Sequence, residues 1–152
     1  MKLDELLTDH AVPFERLHHQ PAYTASRRAQ ALHVPGKMVA KTVLLRTDQG
    51  YVVGVLPANR RVDLDQARAC LGDEWVEMAS EAEMERLFPD CERGALPPFG
   101  SLYHLQTLVD ESLERDGEIV FEGQTHEEDI RMAYRDFEAI EHPRKGRFAL
   151  PV

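Results

Sequence analysis

The chain has little cysteine, no long apolar run and a shortage of basic charge, and each shortage narrows what it can be. Its 152 residues include two cysteines, Cys70 and Cys91. They lie far apart without a C-x-x-C pattern, which points to reduced thiols in a cytoplasmic protein, not to a disulfide framework. No apolar stretch approaches the roughly 18–20 residues that a membrane-spanning helix needs. The opening residues Met1-Lys2-Leu3-Asp4-Glu5 are acidic and amphipathic, unlike a signal or transit peptide. Lysine and arginine total 18 against 27 carboxylates, a formal net charge of −9. That excess disfavours DNA and any other partner held non-specifically by a broad basic surface. There is no G-x-S-x-G, H-E-x-x-H or Walker loop, and no repeat, linker or low-complexity stretch.

What is present fits one folded domain over residues 1–152. Apolar residues make up 43%, enough for a sizeable core at this length. The basic residues gather at Arg27-Arg28, Lys37 and Lys41, Arg60-Arg61 and the tail Arg144-Lys145-Gly146-Arg147, while acids crowd residues 73–92 and 110–141. This asymmetry permits a local positive mouth on an acidic body, although any one cluster taken alone reads first as an ordinary solvated face.

Leu3, Leu6 and Leu7 recur at helical spacing, so residues 3–10 read as a helix stopped before Pro13. Residues 14–18 suit an edge strand, and Thr24 caps a helix over 25–33 that Pro35-Gly36 closes. The run 39–45, the turn Asp48-Gln49-Gly50 and the run 51–57 form a hairpin. Asp63 caps a helix over 64–71 with Gly72 behind it, and residues 75–78 follow as a strand. Ser80 and Glu83 make a capping box for a helix ending near Phe88-Pro89. Strands are expected within 102–109, at 118–122 and at 129–134, with a short terminal helix from Asp136. The fold class is α+β, a mixed and mainly antiparallel sheet flanked by helices.

Two features carry possible chemistry. The first is a lysine inside an apolar strand, Val39-Ala40-Lys41-Thr42-Val43-Leu44-Leu45, where desolvating an ammonium is costly. A snorkelling side chain explains it structurally; an anionic ligand such as phosphate, which would hold the charge, explains it functionally. Gly54 in the partner strand marks close approach by a ligand or another backbone. The second is Gly94-Ala95-Leu96-Pro97-Pro98-Phe99-Gly100, two prolines between two glycines. It is either a stiff connector or a fixed wall whose N–H groups at Gly94, Ala95, Leu96, Phe99 and Gly100 bind a developing oxyanion. The histidines, including His18-His19 and His126, lack metal-ligand spacing, so no metal is expected. Acids flank Cys91 and disfavour its thiolate; Cys70 reads as packing.

These segments, in this order, resemble the YbaK/EbsC family of aminoacyl-tRNA deacylases, which is similar to the editing domain inserted in bacterial prolyl-tRNA synthetases. The resemblance covers about residues 3–140. It is carried by Tyr23-Thr24, the Lys41 strand, Val55-Leu56-Pro57-Ala58 with Val62-Asp63-Leu64, and Phe88-Pro89-Asp90-Cys91-Glu92-Arg93 leading into Gly94–Gly100. Val109-Asp110 and Phe121-Glu122-Gly123 leading to Asp129-Ile130 complete it.

The resemblance implies a trans-editing hydrolase that cleaves the ester joining a wrong amino acid to the 3′ adenosine of a tRNA, plausibly tRNA-Pro, with no cofactor. Lys41 matches the family's functional lysine, which positions the phosphate or sugar end, and Gly94 to Gly100 match the pocket loop. Lys41, Gly94 and Gly100 are then the catalytic candidates. Thr24, Thr42, Leu96, Pro97, Pro98, Phe99, His126 and Asp129 are candidates for substrate binding, and Ser26 helps line the site. Implied partners are mischarged tRNA and an aminoacyl-tRNA synthetase, without DNA or membrane. Thr42 follows the cysteine-editing branch, whereas alanine-selective relatives carry Asn there. The Pro-Pro-Phe-Gly loop departs from that branch's Ser-Pro form, so alanine, cysteine, serine and threonine all stay open. A non-catalytic module binding the acceptor end or a synthetase is the alternative, and a hydrolase of small free esters or amides a third.

Overall fold

Among the described residues three sheets and four helices form, and the main core lies between the two larger sheets. The computed structural model describes residues 2–19 and 35–151. The first helix, α1 (Leu3–Asp9), buries Leu3, Leu6 and Leu7, as their spacing requires. Strand β1 (Phe14–His18) follows. The helix expected over 25–33, with Thr24 and Ser26, lies outside the described residues.

The hairpin forms as read: β2 (Ala40–Thr47) pairs antiparallel with β3 (Gly50–Pro57), setting Lys41 opposite Leu56 and Thr42 opposite Val55. A short strand β4 (Arg60–Val62) leads into α2 (Leu64–Leu71), whose Asp63 cap accepts from Gln66 N at 3.2 Å. Strand β5 (Val76–Met78) precedes α3 (Glu81–Leu87), which starts on the Ser80–Glu83 capping box. After the Gly94–Gly100 loop come a 3₁₀ turn, Gly100–Tyr103, and β6 (Gln106–Asp110). A second 3₁₀ turn, Glu111–Asp116, leads to β7 (Glu118–Glu122) and β8 (Glu128–Ala133). Helix α4 (Tyr134–Glu141) and the short strands β9 (Arg144–Gly146) and β10 (Ala149–Pro151) complete the fold.

The five-stranded sheet runs β5-β2-β3-β6-β9, with β3–β6 and β6–β9 parallel; the three-stranded sheet runs β1-β8-β7, all antiparallel; β4 pairs with β10. Between the two larger sheets pack Leu44, Val53, Val55, Val109, Phe121, Ile130 and Phe137. The other face of the five-stranded sheet is covered by α2 and Phe148, through Leu45, Leu56, Ala67 and Leu108.

Three expectations change in detail. The terminal helix begins at Tyr134, not Asp136, because Tyr134 and Phe137 fill the core together. Residues 102 and 103, expected at the start of a strand, belong to the 3₁₀ turn Gly100–Tyr103, and the basic tail forms strands that local patterning did not reveal. The space above Gly54 is taken by protein: a Cβ there would lie 3.0 Å from Val43 Cγ2 and 3.6 Å from Phe148.

Candidate functional site

In extended chain, alternate side chains share a face. Val39 and Lys41 therefore project to the same side. Val39 bridges to Val120 of β7, locked by the Val120 N–H donating to Met38 O at 3.1 Å. Val120 shares its face of β7 with Glu122, which lies opposite Asp129 of β8; Asp129 in turn lies opposite Leu17 of β1. Lys41, Glu122 and Asp129 thus belong to one surface that crosses from sheet to sheet. Its floor is the cluster Val39, Ala58, Val120 and Leu17. Alternation sends Thr42 to the opposite face with Val55, towards the main core.

Lys41 is half-buried, and burial pushes its ammonium below the ordinary lysine value. No carboxylate among the described residues forms an ion pair with it, so the desolvation is not offset from within the described protein.

On the same surface stand two buried histidine–carboxylate pairs. His126 Nδ1 lies 2.9 Å from Glu122 Oε2, and His19 Nε2 lies 3.1 Å from Asp129 Oδ1. Glu122, His126 and Asp129 are 8%, 5% and 0% exposed. His126 Nε2 lies 2.5 Å from the carbonyl oxygen of Arg93. A carbonyl only accepts, so Nε2 carries the hydrogen and donates it. The C=O and N–H of one peptide unit point in opposite directions across its plane. Holding the Arg93 carbonyl therefore turns the Gly94 N–H away from the His126 ring. Gly94 is exposed, has φ of +81°, and a Cβ there would lie 3.8 Å from His126 Cε1. Among the described residues no protein acceptor takes its N–H.

The other end of the loop is clamped by a second buried carboxylate. Gly100 N–H donates to Thr107 Oγ1 at 2.9 Å, and Thr107 Oγ1 donates to Glu141 Oε2 at 2.5 Å. Glu141 also accepts from Ser101 N at 3.1 Å and from Ser101 Oγ at 2.5 Å. A Cβ on Gly100 would stand 2.7 Å from both Leu105 O and Thr107 Oγ1. Of the five N–H groups expected to face a ligand, two are spent internally: Gly100 on Thr107, and Ala95 on Glu92 O at 2.9 Å.

From Ala95 to Gly100 the loop is buried. Phe99 stacks edge-on against Phe121 and Phe137, with ring centroids 5.6 and 5.3 Å apart. Pro97, Pro98 and Phe99 stiffen the loop from below, and Gly94 is the position it presents to solvent. Beside Gly94 opens a cavity of about 290 Å³ lined by Met84, Phe88, Cys91 and Leu96, with Glu85 and Glu92 at its rim. The structure thus sets Lys41 on the strand face that carries Glu122 and Asp129, holds Gly94 beside His126, puts Leu96 in the neighbouring cavity, and keeps Phe99 and Gly100 inside the fold with Thr42 half-buried towards the core. Glu122, Glu141, Thr107 and His19 support these groups, a role with no signal in the sequence, because the fold alone brings Asp129 to His19, Ser101 and Thr107 to Glu141, and Arg93 to the His126 that Glu122 holds. Among the described residues no group of three or more His, Cys, Asp or Glu side chains could hold a metal ion, and no helix is long and apolar enough to cross a membrane.

Known proteins resemble this chain in sequence and in fold. Over 99 residues the chain is 30% identical to the multifunctional Ser/Thr-tRNA deacylase ProXp-y of Escherichia coli K12, covering 64% of this chain and 59% of that protein. Over 87 residues it is 26% identical to the proline–tRNA ligase of Thermosipho africanus, covering 57% of this chain and 15% of the ligase. The chain thus spans less than two thirds of either relative's length. A crystal structure described as a candidate trans-editing enzyme for prolyl tRNA synthetase superimposes with a TM-score of 0.85 at 19% identity, covering 97% of this chain and 94% of that one. A crystal structure of a hypothetical protein gives 0.89 at 18% identity, over 99% and 100%. These two share the fold. The family match itself runs over residues 19–140, through the Lys41 strand, the glycine–proline loop and the buried histidine, and by it this chain belongs to the aminoacyl-tRNA editing domain family.

Proposed function

We propose that this chain is a trans-editing deacylase, hydrolysing the ester between a wrongly attached small amino acid and the 3′ adenosine of a tRNA. One observation carries the reading: a desolvated lysine stands on the strand face that bears Glu122, and the Glu122–His126 pair there fixes the direction of the Gly94 N–H through the Arg93 carbonyl. Alanine, cysteine, serine and threonine are the candidate amino acids, and the named activity of the E. coli relative supports serine and threonine. The tRNA-Pro carrier and a synthetase partner are supported by the prolyl-tRNA ligase relatives.

In this mechanism Lys41 meets the phosphate or ribose of the terminal adenosine. The anion restores to the ammonium the stabilisation that burial withholds. The Gly94 N–H accepts no reorganisation and donates to the ester oxygen as it becomes an oxyanion. His126 and Glu122 act behind it by holding the Arg93 carbonyl. Water attacks the carbonyl carbon directly, or the 2′-hydroxyl or the substrate's own side chain attacks first and water then opens the ester or thioester so formed. In the first step the bond to the 3′-oxygen breaks and the attacking group's proton passes to that oxygen. An aminoacyl ester is already activated, so placement and oxyanion stabilisation suffice without a protein nucleophile.

Discrimination among near-isosteric amino acids is worth only ~1–3 kcal/mol per methylene, so substrates should overlap. The test is hydrolysis of Ala-, Cys-, Ser- and Thr-charged tRNA-Pro. At least one should be cleaved faster than it hydrolyses spontaneously. No acceleration for any of them overturns the reading, and tRNA binding without turnover would then assign a non-catalytic acceptor-end module.

A further inference from the structure

On a chain of net charge −9, one cavity is lined by an excess of cations. It encloses about 260 Å³ between the turn after β3 and the Glu111–Asp116 turn, with Lys37, Arg60 and Arg115 facing one carboxylate, Asp116. Three other cavities carry the reverse balance. The one beside Gly94 has Glu81, Glu85 and Glu92 against Arg93, and those flanking α4 also hold more carboxylates than cations.

Lys37 reaches Asp116 at 3.4 Å while remaining mostly exposed. Among the described residues neither Arg60 nor Arg115 has an ion-pair partner. Asn59 adds an amide at the rim, and Pro57 closes one wall. Two forked guanidinium groups and an ammonium around a small concavity suit one tetrahedral oxyanion group, which they can bind at several oxygens at once.

The cavity's place in the fold identifies the anion. Its wall residues Pro57, Asn59 and Arg60 surround Ala58, whose N–H donates to Val39 O at 2.7 Å. Val39 is two residues from Lys41, and Asn59 is three residues beyond Leu56, the partner of Lys41 across the hairpin. Three extended residues span at most roughly 10 Å. A nucleic-acid strand whose last nucleotide meets Lys41 therefore has its preceding phosphates within reach of this cavity.

We infer that the Lys37–Arg60–Arg115 cavity binds a backbone phosphate of the substrate RNA, one or two nucleotides before the terminal adenosine. The identity of the ligand rests on the deacylase reading above. The site itself rests on charge and place. It explains how an acidic protein holds a polyanion: two local cationic points, Lys41 and this cavity, replace a broad basic face. Asp116 competes with the phosphate for Lys37 and limits its strength.

Binding of an uncharged tRNA-Pro transcript to the full chain, followed across a salt titration, tests the inference without needing turnover. Arg60→Ala and Arg115→Ala should each raise Kd by about tenfold, the loss expected for a charge-assisted contact. Each should lower the slope of log K against log salt by about 1. Asp116→Asn should tighten binding, an effect that a merely unfolded variant does not produce. Inorganic phosphate should compete with the transcript for the parent and less well for Arg115→Ala. Unchanged Kd and slope in both arginine variants overturn the inference, as does a parent that binds no tRNA. Phosphate binding at the cavity with tRNA affinity insensitive to Arg60 and Arg115 also overturns it and marks a free-phosphate site. A parent that binds tRNA in this pattern but cleaves no charged tRNA defeats the deacylase reading and leaves the phosphate site standing.

Discussion

His126 Nε2 stands 2.5 Å from Arg93 O, and this contact sets the direction of the neighbouring Gly94 N–H. The ring is held in turn by Glu122, 2.9 Å from Nδ1. Removing the clamp frees the peptide to rotate. His126→Ala and Glu122→Gln should lower kcat for deacylation by about 10- to 100-fold, short of deleting an oxyanion donor outright, with KM nearly unchanged. His126→Gln, which keeps a side-chain N–H donor, should recover part of the rate. The Gly94 amide resonance should move in the first two variants and return towards its parental position in the third. Equal rates and an unmoved Gly94 amide in all three would show that the clamp is only structural.

Lys41 carries an opposite signature. Burial lowers its pKa in the folded chain, so the folded state binds that proton less readily than the unfolded state does. The group therefore costs stability below its folded pKa, and the cost fades as pH rises towards the ordinary lysine value. Lys41→Met keeps the packed stem and removes the charge. Thermal unfolding near pH 7 should occur at an equal or higher temperature, while deacylation falls by at least about 100-fold. A large drop in Tm together with retained activity would contradict this assignment.

The two glycines that bound the loop should separate function from stability. Gly100→Ala forces a Cβ to 2.7 Å from Leu105 O and Thr107 Oγ1, and should destabilise the fold by about 1–3 kcal/mol. Gly94→Ala meets nothing closer than 3.8 Å, yet its φ of +81° favours glycine and strains an alanine, so the backbone relaxes and the N–H turns. Its effect should fall mainly on kcat. Denaturant titration beside single-turnover rates distinguishes the two; the reverse ranking would count against the loop's assigned polarity.

Cys91 should be chemically quiet at neutral pH. Burial, opposed in part by a contact with Tyr103 at 3.2 Å, pushes its thiol up to about 11. The folded state therefore keeps this proton more firmly than the unfolded state. Stability from this group is intact below the ordinary thiol range and is lost as pH rises from there towards about 11. Alkylation of Cys91 by iodoacetamide, followed by mass spectrometry, should be slow at pH 8 and accelerate steeply above pH 10. Rapid alkylation at pH 7 would refute the assigned environment.

The local grammar of the chain was legible where one element contains its own signal. Leu3, Leu6 and Leu7, the Asp63 cap, the Ser80–Glu83 box and the Lys41 hairpin all follow from short-range spacing. The tail strands β9 and β10 follow from none, because they exist by pairing with β6 and β4, far away in sequence. The same boundary divides the site. Lys41 and Gly94 stand out as a charge among aliphatic residues and a glycine beside a rigid pair of prolines. Glu122 and Glu141 look like two more acids in an acidic stretch. Only the fold shows each clamping one end of the same loop. Its place in that loop predicts Phe99 as a pocket wall, whereas its ring packs with Phe121 and Phe137 in the core.

The joint action of Lys41 and Gly94 on one acceptor end is tested most directly by titrating ¹⁵N-labelled protein with a non-hydrolysable 3′-seryl-amino-adenosine carrying its 5′ phosphate. The expected result is saturable movement of the Gly94 amide and the Lys41 ammonium signal with a common Kd. Saturable binding that leaves both signals unmoved would contradict it.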